Sequence, residues 1–242
     1  MRNIRIVLSY DGTDYHGWQR QPRKKTIQGT IEDALARLAG KEVSLTGAGR
    51  TDAGVHARAQ VANVKASLRL SDDELQKALN AILPDDIRVA EVGRAAPEFH
   101  ARRDAVSKVY QYRICRARLI SPFDFRYALH WPHPLAVGRM RKAAALFVRE
   151  DDFSGFSSNR ELYPVRTVTR SDLARRGDEL VYTIEANGFL RYMVRTIVGT
   201  LLEVGRGRIE PNAIEDIFRG KKRTLASPTA PAKGLCLLNV LY

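Results

Sequence analysis

The chain has 242 residues, 44% of them hydrophobic, a length and balance that fit one or two domains with ordinary cores and exclude a disordered chain. Lys and Arg total 40 against 27 Asp and Glu, a net charge of +13, so a polyanion is the first partner to consider. The two cysteines, Cys115 and Cys236, each sit in an apolar run. They exclude a disulfide scaffold and a thiolate zinc site and read as reduced, buried thiols of a cytosolic protein. Met1-Arg2-Asn3-Ile4-Arg5 runs straight into a strand pattern without a signal-like apolar region, and no later stretch is long enough to span a bilayer. A cytoplasmic protein is expected.

In chain order, Ile4 to Tyr10 reads as a strand ended by Asp11-Gly12. A polar loop carrying Tyr15, His16 and Trp18 follows. Thr26 opens a helix with Ile27, Ile31, Ala34, Leu35 and Leu38 on one face and Gly40 at its end. Val43 to Thr46 is a second strand, Gly47 to His56 a glycine-rich loop, and Ala59 to Lys65 a third strand. Ser71 and Glu74 form a capping box for a helix burying Leu75, Ala78, Leu79 and Ile82 and stopped by Pro84. Ile87 to Val92 is a fourth strand. This β-α-β-β-α-β order is the split βαβ, or ferredoxin-like, plan.

The second half repeats the order. Lys108 to Ala117 alternates Tyr110, Tyr112 and Ile114 against Val109, Gln111 and Arg113. Val137 to Val148 reads as a helix with Met140, Ala144, Phe147 and Val148 inward. Val165 to Ala174 and Glu179 to Ala186 are strands joined at Arg176-Gly177-Asp178. Leu190 to Val204 carries the strongest helical pattern, a short helix covers Ala213 to Phe218, and Leu235 to Leu241 is the last strand. The fold expected is α+β, with two ferredoxin-like halves, residues 1–104 and 105–242, and a catalytic cleft between their sheets.

One segment concentrates chemistry. Gly47-Ala48-Gly49-Arg50-Thr51-Asp52-Ala53-Gly54-Val55-His56 sets three glycines around a single carboxylate and a cation. Glycine permits positive φ and close approach of a ligand or another backbone. The same pattern also serves as a plain hairpin connection with Arg50 and Asp52 solvated. It is neither a dinucleotide fingerprint, since Asp52 follows Thr51, nor a phosphate-binding P-loop, since no Gly-Lys-Ser/Thr occurs. It carries too few oxygen ligands for an EF-hand. The histidines form no ligand set, His130-Trp131-Pro132-His133 reads as a turn, and the serines have no His and Asp partners of a hydrolase.

Arg50-Thr51-Asp52-Ala53-Gly54-Val55-His56 resembles the catalytic segment of the tRNA pseudouridine synthase A family. Tyr10-Asp11-Gly12-Thr13, Gly17-Trp18-Gln19, Phe99-His100-Ala101-Arg102, Lys108-x-Tyr110-x-Tyr112 and Phe189-Leu190-Arg191-x-Met193-Val194-Arg195 resemble further family segments in the same order over most of the chain. Asp152-Phe153-Ser154-Gly155-Phe156 departs from the family's form by a Gly155 before the second Phe.

The resemblance implies a reaction that detaches uracil from its ribose, rotates it and reattaches it through C5, at positions 38, 39 and 40 of the tRNA anticodon stem-loop. It implies no organic cofactor and no metal, and a homodimer holding tRNA. Asp52 would be the nucleophile; attack on the base, attack on the sugar and removal of a ribose proton all stay open. Arg195 would pair with it and keep it charged, and Tyr110 would lie in the active site, stacking on an extruded uracil or handling a proton. Arg50 and Thr51 would face the RNA, Arg50 holding the displaced phosphate. Arg20, Lys24, Lys25, Arg58, Arg102 and Arg103 are candidate phosphate contacts, with Arg23 and the Lys221-Lys222-Arg223 run. Two rival functions remain: a non-catalytic RNA-binding protein, although Lys108 to Ile114 lacks the glycine and aromatic pattern of an RRM strand, and a nuclease, although Asp52 has no second carboxylate near it in sequence.

Overall fold

Alternation of Ile4, Ile6, Leu8 and Tyr10 onto one buried face makes Arg2–Tyr10 strand β1. A computed structural model describes residues 1–159 and 162–242. Two compact units divide the chain, Met1–Val106 with Cys236–Tyr242, and Ser107–Leu235.

In the first unit, helix α1 (Ile27–Ala39) starts at Thr26, whose hydroxyl accepts from Gly29 N–H, and ends at Gly40 with φ 67°. It buries Ile27, Ile31, Ala34 and Leu35, while Leu38 lies half-buried at the margin. Strand β2 covers only Leu45–Gly47, and strand β3 covers His56–Ala66. Helix α2 (Asp72–Ile82) has both halves of the capping box in place, Glu74 N–H to Ser71 Oγ and Ser71 N–H to Glu74. Leu75 and Leu79 are its buried residues. Strand β4 (Ile87–Arg94) pairs antiparallel with one edge of β1, and β3 pairs antiparallel with the other. β2 lies along the far edge of β3, Leu45 opposite Val64. The order β4-β1-β3-β2 is the split βαβ arrangement read from the sequence.

The second unit is built on strand β5 (Ser107–Cys115), which buries Tyr110, Tyr112 and Ile114 on one face. Two short strands were not legible in the sequence. Leu129–His130 forms β6, parallel to the end of β5, within what reads as a turn. After helix α3 (Val137–Ala145), Glu150–Asp152 forms β7. β7 borders β8 (Val165–Arg176), which pairs with β9 (Glu179–Ala186), and β9 pairs with β5. α3 ends at Ala145, earlier than its sequence pattern suggests, so Phe147 still turns inward but Val148 is 48% exposed.

Helix α4 (Met193–Gly205) begins three positions later than the apolar pattern does, because Tyr192 adopts a left-handed conformation at φ 62°. Leu190 nonetheless stays buried ahead of it. Helix α5 (Ala213–Gly220) buries Ile214, Ile217 and Phe218. Phe147, Phe153, Phe156 and Phe218 form one aromatic cluster with several ring centroids 5.1–5.2 Å apart. Gly155 lies in a single 3₁₀ turn against α5, where a Cβ would come within 2.7 Å of Ile217 Cγ2. The departure from the family pattern is therefore a packing position.

The last strand, β10 (Leu235–Leu241), reads from sequence as the close of the second half. From Cys236 onward it groups with the first unit instead, parallel to β3 with Cys236 opposite His56. β3 can take it because β2 covers only the stretch opposite Ala62–Val64 and leaves the His56 end of that edge open. Burial pushes the Cys236 thiol up to about 11, consistent with an unreactive reduced cysteine.

Gly199 on α4 is a close-approach position: a Cβ there would stand 1.9 Å from the Pro228 carbonyl oxygen. Gly199→Ala must displace backbone, and overpacking of this kind typically costs about 1–3 kcal/mol. The expected result is a Tm lowered by roughly 2–12 °C in a thermal melt; an unchanged Tm would show that the 226–230 segment moves aside freely.

Candidate active site

Backbone contacts hold much of the segment between β2 and β3. Ala48 N–H donates to Val61 O at 2.7 Å, Trp18 N–H to Thr51 O at 3.0 Å, Gly54 N–H to Tyr15 O at 3.3 Å and Val55 N–H to Asp52 O at 3.1 Å. The segment 12–18 lies against this loop closely enough to require glycine twice. A Cβ on Gly12 would sit 2.0 Å from Val55 O, and Gly17, at φ 87°, would bring one 2.7 Å from Thr51 O. Asp11 and Gly12 also meet His56 Nδ1, each at 3.1 Å, so that histidine ties the start of β3 to the end of β1. Thus two of the segments matched in the sequence, around Gly12 and Gly17, are the packing partners of a third, around Asp52.

Within the loop Arg50 is exposed, Thr51 buried and Asp52 half-buried. Thr51 was expected at the RNA surface. It is 6% exposed, and its hydroxyl lies 2.9 Å from the Tyr10 hydroxyl. Gln60 Nε2 donates to Gly49 O at 2.9 Å and approaches Tyr10 Oη at 3.5 Å. Burial holds the Tyr10 phenol well above its usual range, so it stays protonated. Sequence reading missed Tyr10 and Gln60. The available signal was a glutamine midway along the apolar strand β3, where a buried amide needs partners.

In the second unit, Tyr110 is buried edge-on to Phe189, with ring centroids 5.1 Å apart. Its neighbour on the same face, Tyr112, is a core residue: it is fully buried and its hydroxyl donates to Pro231 O at 2.8 Å. Arg195 is half-buried on α4. Its Nε donates to Ala230 O at 2.8 Å, Ala230 N–H donates back to Arg195 O at 3.0 Å, and the guanidinium stands 5.0 Å from the Tyr192 ring. The Nε bond and the Tyr192 ring restrain the guanidinium from two sides.

The basic residues fall into two groups. Arg20 donates to Asp33 at 2.9 Å and Glu32 at 3.2 Å, and Lys25 lies 4.2 Å over the Tyr15 ring and 3.7 Å from Asp86, so both are partnered within the protein. Lys221 is likewise 3.1 Å from Asp152. Arg23, Lys24, Arg58, Arg102 and Arg103 are exposed. The turn presenting Arg102 and Arg103 is shaped by His100, whose Nδ1 accepts from both their N–H groups at 3.2 Å. Among the described residues, no group of three or more His, Cys, Asp or Glu could hold a metal ion, and no helix is long and apolar enough to cross a membrane.

Comparison with known proteins bears on this geometry directly. A family model described as tRNA pseudouridine synthase matches residues 6–102 and 143–242, which include the Asp52 loop and Arg195 but not Tyr110. Full-length relatives cover the remainder. A tRNA pseudouridine synthase A of Thermoanaerobacter sp. (strain X514) is 43% identical over 244 residues, spanning 100% of both chains. Those of Thermodesulfovibrio yellowstonii and Solibacter usitatus are 39% and 44% identical, again over 100% of both chains. With a family model over most of the chain and relatives matched over its whole length, the chain belongs to the tRNA pseudouridine synthase family, isomerases that bind tRNA and convert uridine to pseudouridine.

Proposed function

We propose that this enzyme modifies uridines 38, 39 and 40 of the tRNA anticodon stem-loop, with Asp52 as its nucleophile. One observation carries the reading. Asp52 is the carboxylate of the family-like segment Arg50–His56, and it stands half-buried on a loop whose backbone is bonded on both sides. A nucleophile must be held in reacting geometry, and such a loop supplies this without a cofactor.

The isomerisation breaks one glycosidic bond and forms a C–C bond to the same base, with no net redox change. The protein must extrude the nucleotide, keep a carboxylate ionised beneath it and manage one proton. Arg195 is the cation that keeps Asp52 charged, its Nε anchored on Ala230 O. Tyr110 stacks on the uracil, backed by Phe189, and its hydroxyl handles the proton. Exposed Arg50, two residues before Asp52, holds the phosphate displaced when the base leaves the stack. Arg58, Arg102, Arg103 and Lys24 contact phosphates along the RNA. Lys25 and Arg20 join them with charges already shared with Asp86 and with Glu32 and Asp33. A cytoplasmic homodimer, one subunit gripping tRNA presented to the other, completes the proposal.

Mapping pseudouridine in tRNA incubated with the protein tests position and chemistry together. Wild-type enzyme is expected to give product at 38, 39 and 40, and Asp52→Asn to lose roughly 10⁴-fold or more in rate. Product elsewhere overturns the position, and an active Asp52→Asn overturns the nucleophile. Arg195→Met is expected to lower the rate by about 10²–10³-fold while thermal stability is retained; near-normal turnover removes it from the mechanism. Replacing Arg102 and Arg103 together by Ala is expected to flatten the slope of log affinity against log salt by about 1–2. An unchanged slope places the RNA backbone on another face.

A further inference from the structure

Thr51 points away from solvent, and the atoms that receive it form a hydrogen-bonded chain. Gln60 is fully buried, and Tyr10 and Thr51 are nearly so. Gly49 O, met by Gln60 Nε2, can only accept, which fixes which end of the amide faces the loop. The Tyr10 and Thr51 hydroxyls, 2.9 Å apart, share one hydrogen bond in which either oxygen can donate. The Gln60 carbonyl oxygen is left buried without a hydrogen-bond partner among the described residues. A buried unsatisfied acceptor calls for a task performed by the rest of its group, and here the nitrogen of the same amide holds Gly49.

Thr51 is held at a second point, its carbonyl accepting Trp18 N–H at 3.0 Å. A residue pinned by side chain and carbonyl together cannot rotate about its own backbone. With Thr51 turned inward, its neighbours Arg50 and Asp52 are directed to the open side, one exposed and one half-buried.

We propose that Thr51, Tyr10 and Gln60 form a positioning unit that sets the direction of Asp52, and that Thr51 serves the reaction from inside the protein rather than as an RNA contact. This rests on the reading of Asp52 as the nucleophile. A carboxylate misplaced by about 1 Å can lose ~10²-fold in rate without losing substrate. The three residues are thus expected to govern the chemical step and to leave RNA affinity alone.

The test is single-turnover pseudouridine formation, with the tRNA Kd and Tm measured on the same full-length proteins. Thr51→Val and Tyr10→Phe are each expected to lower the single-turnover rate by about 10–100-fold with Kd held within about twofold. Thr51→Ser, which keeps the hydroxyl, restores most of that rate. The Thr51→Val, Tyr10→Phe double variant falls no further than the worse single variant, because the two act through one bond. Three results overturn the proposal: a wild-type rate in Thr51→Val, a weakened Kd with the rate preserved, or equal losses in Thr51→Ser and Thr51→Val. Asp52→Asn is assayed alongside. If it stays active, the nucleophile reading fails; if it is inactive while Thr51→Val matches wild type, only the positioning unit fails.

Discussion

The Val55 carbonyl oxygen occupies the space in which any residue other than glycine at position 12 would carry its Cβ. That backbone-on-backbone contact, repeated where Gly17 meets Thr51, lets two loops share one set of hydrogen bonds. Fixing a backbone residue costs about 1–2 kcal/mol in conformational entropy, so a free loop of this length would not hold one carboxylate in one place. Here the peptide groups of 48, 51, 52, 54 and 55 find partners in β3, in the 12–18 segment or within the loop itself. Much of the rigidity needed for catalysis is thus met by main chain, with the Thr51 and Gln60 side chains adding to it.

The positive charge of the protein divides along similar lines. A net +13 invites the view that every cation serves the RNA. Arg20, Lys25 and Lys221 also meet carboxylates in their own unit, so part of their charge is already shared, and such exposed pairs contribute modestly to stability. Arg102 and Arg103 are exposed on a turn that His100 organises through its ring nitrogen. Formal charge identifies the class of partner, and local geometry decides which cations reach it.

Signals that act over a few residues were legible in the sequence. The Ser71–Glu74 box, the Thr26 cap, the Gly40 stop and the alternation of Tyr110, Tyr112 and Ile114 all appear where local chemistry requires them. The Gly47–His56 loop sets three glycines around one carboxylate and a cation, a pattern that also serves as a plain connection, and the resemblance of Arg50–His56 to a catalytic segment is what marked it. What sequence could not convey depends on distant pairing. β10 returns to β3, β6 has only two residues and no period to detect, and Tyr192 interrupts an apolar pattern that runs through it. Gly199 lies within the Leu190–Val204 pattern, and only the fold shows that the Pro228 carbonyl approaches it. Thr51 reads as a polar loop residue suited to RNA, and only the position of Tyr10 shows which way its hydroxyl turns.

The central claim is that Asp52 is carried by a loop as rigid as the sheet beneath it, and amide hydrogen exchange measures this most directly. The Trp18 and Gly54 amides bond to Thr51 O and Tyr15 O across the two loops. They are predicted to exchange as slowly as amides of the β1–β3 ladder in the unliganded enzyme. Exchange of either amide near the rate of an open loop, with the ladder still protected, would contradict the account.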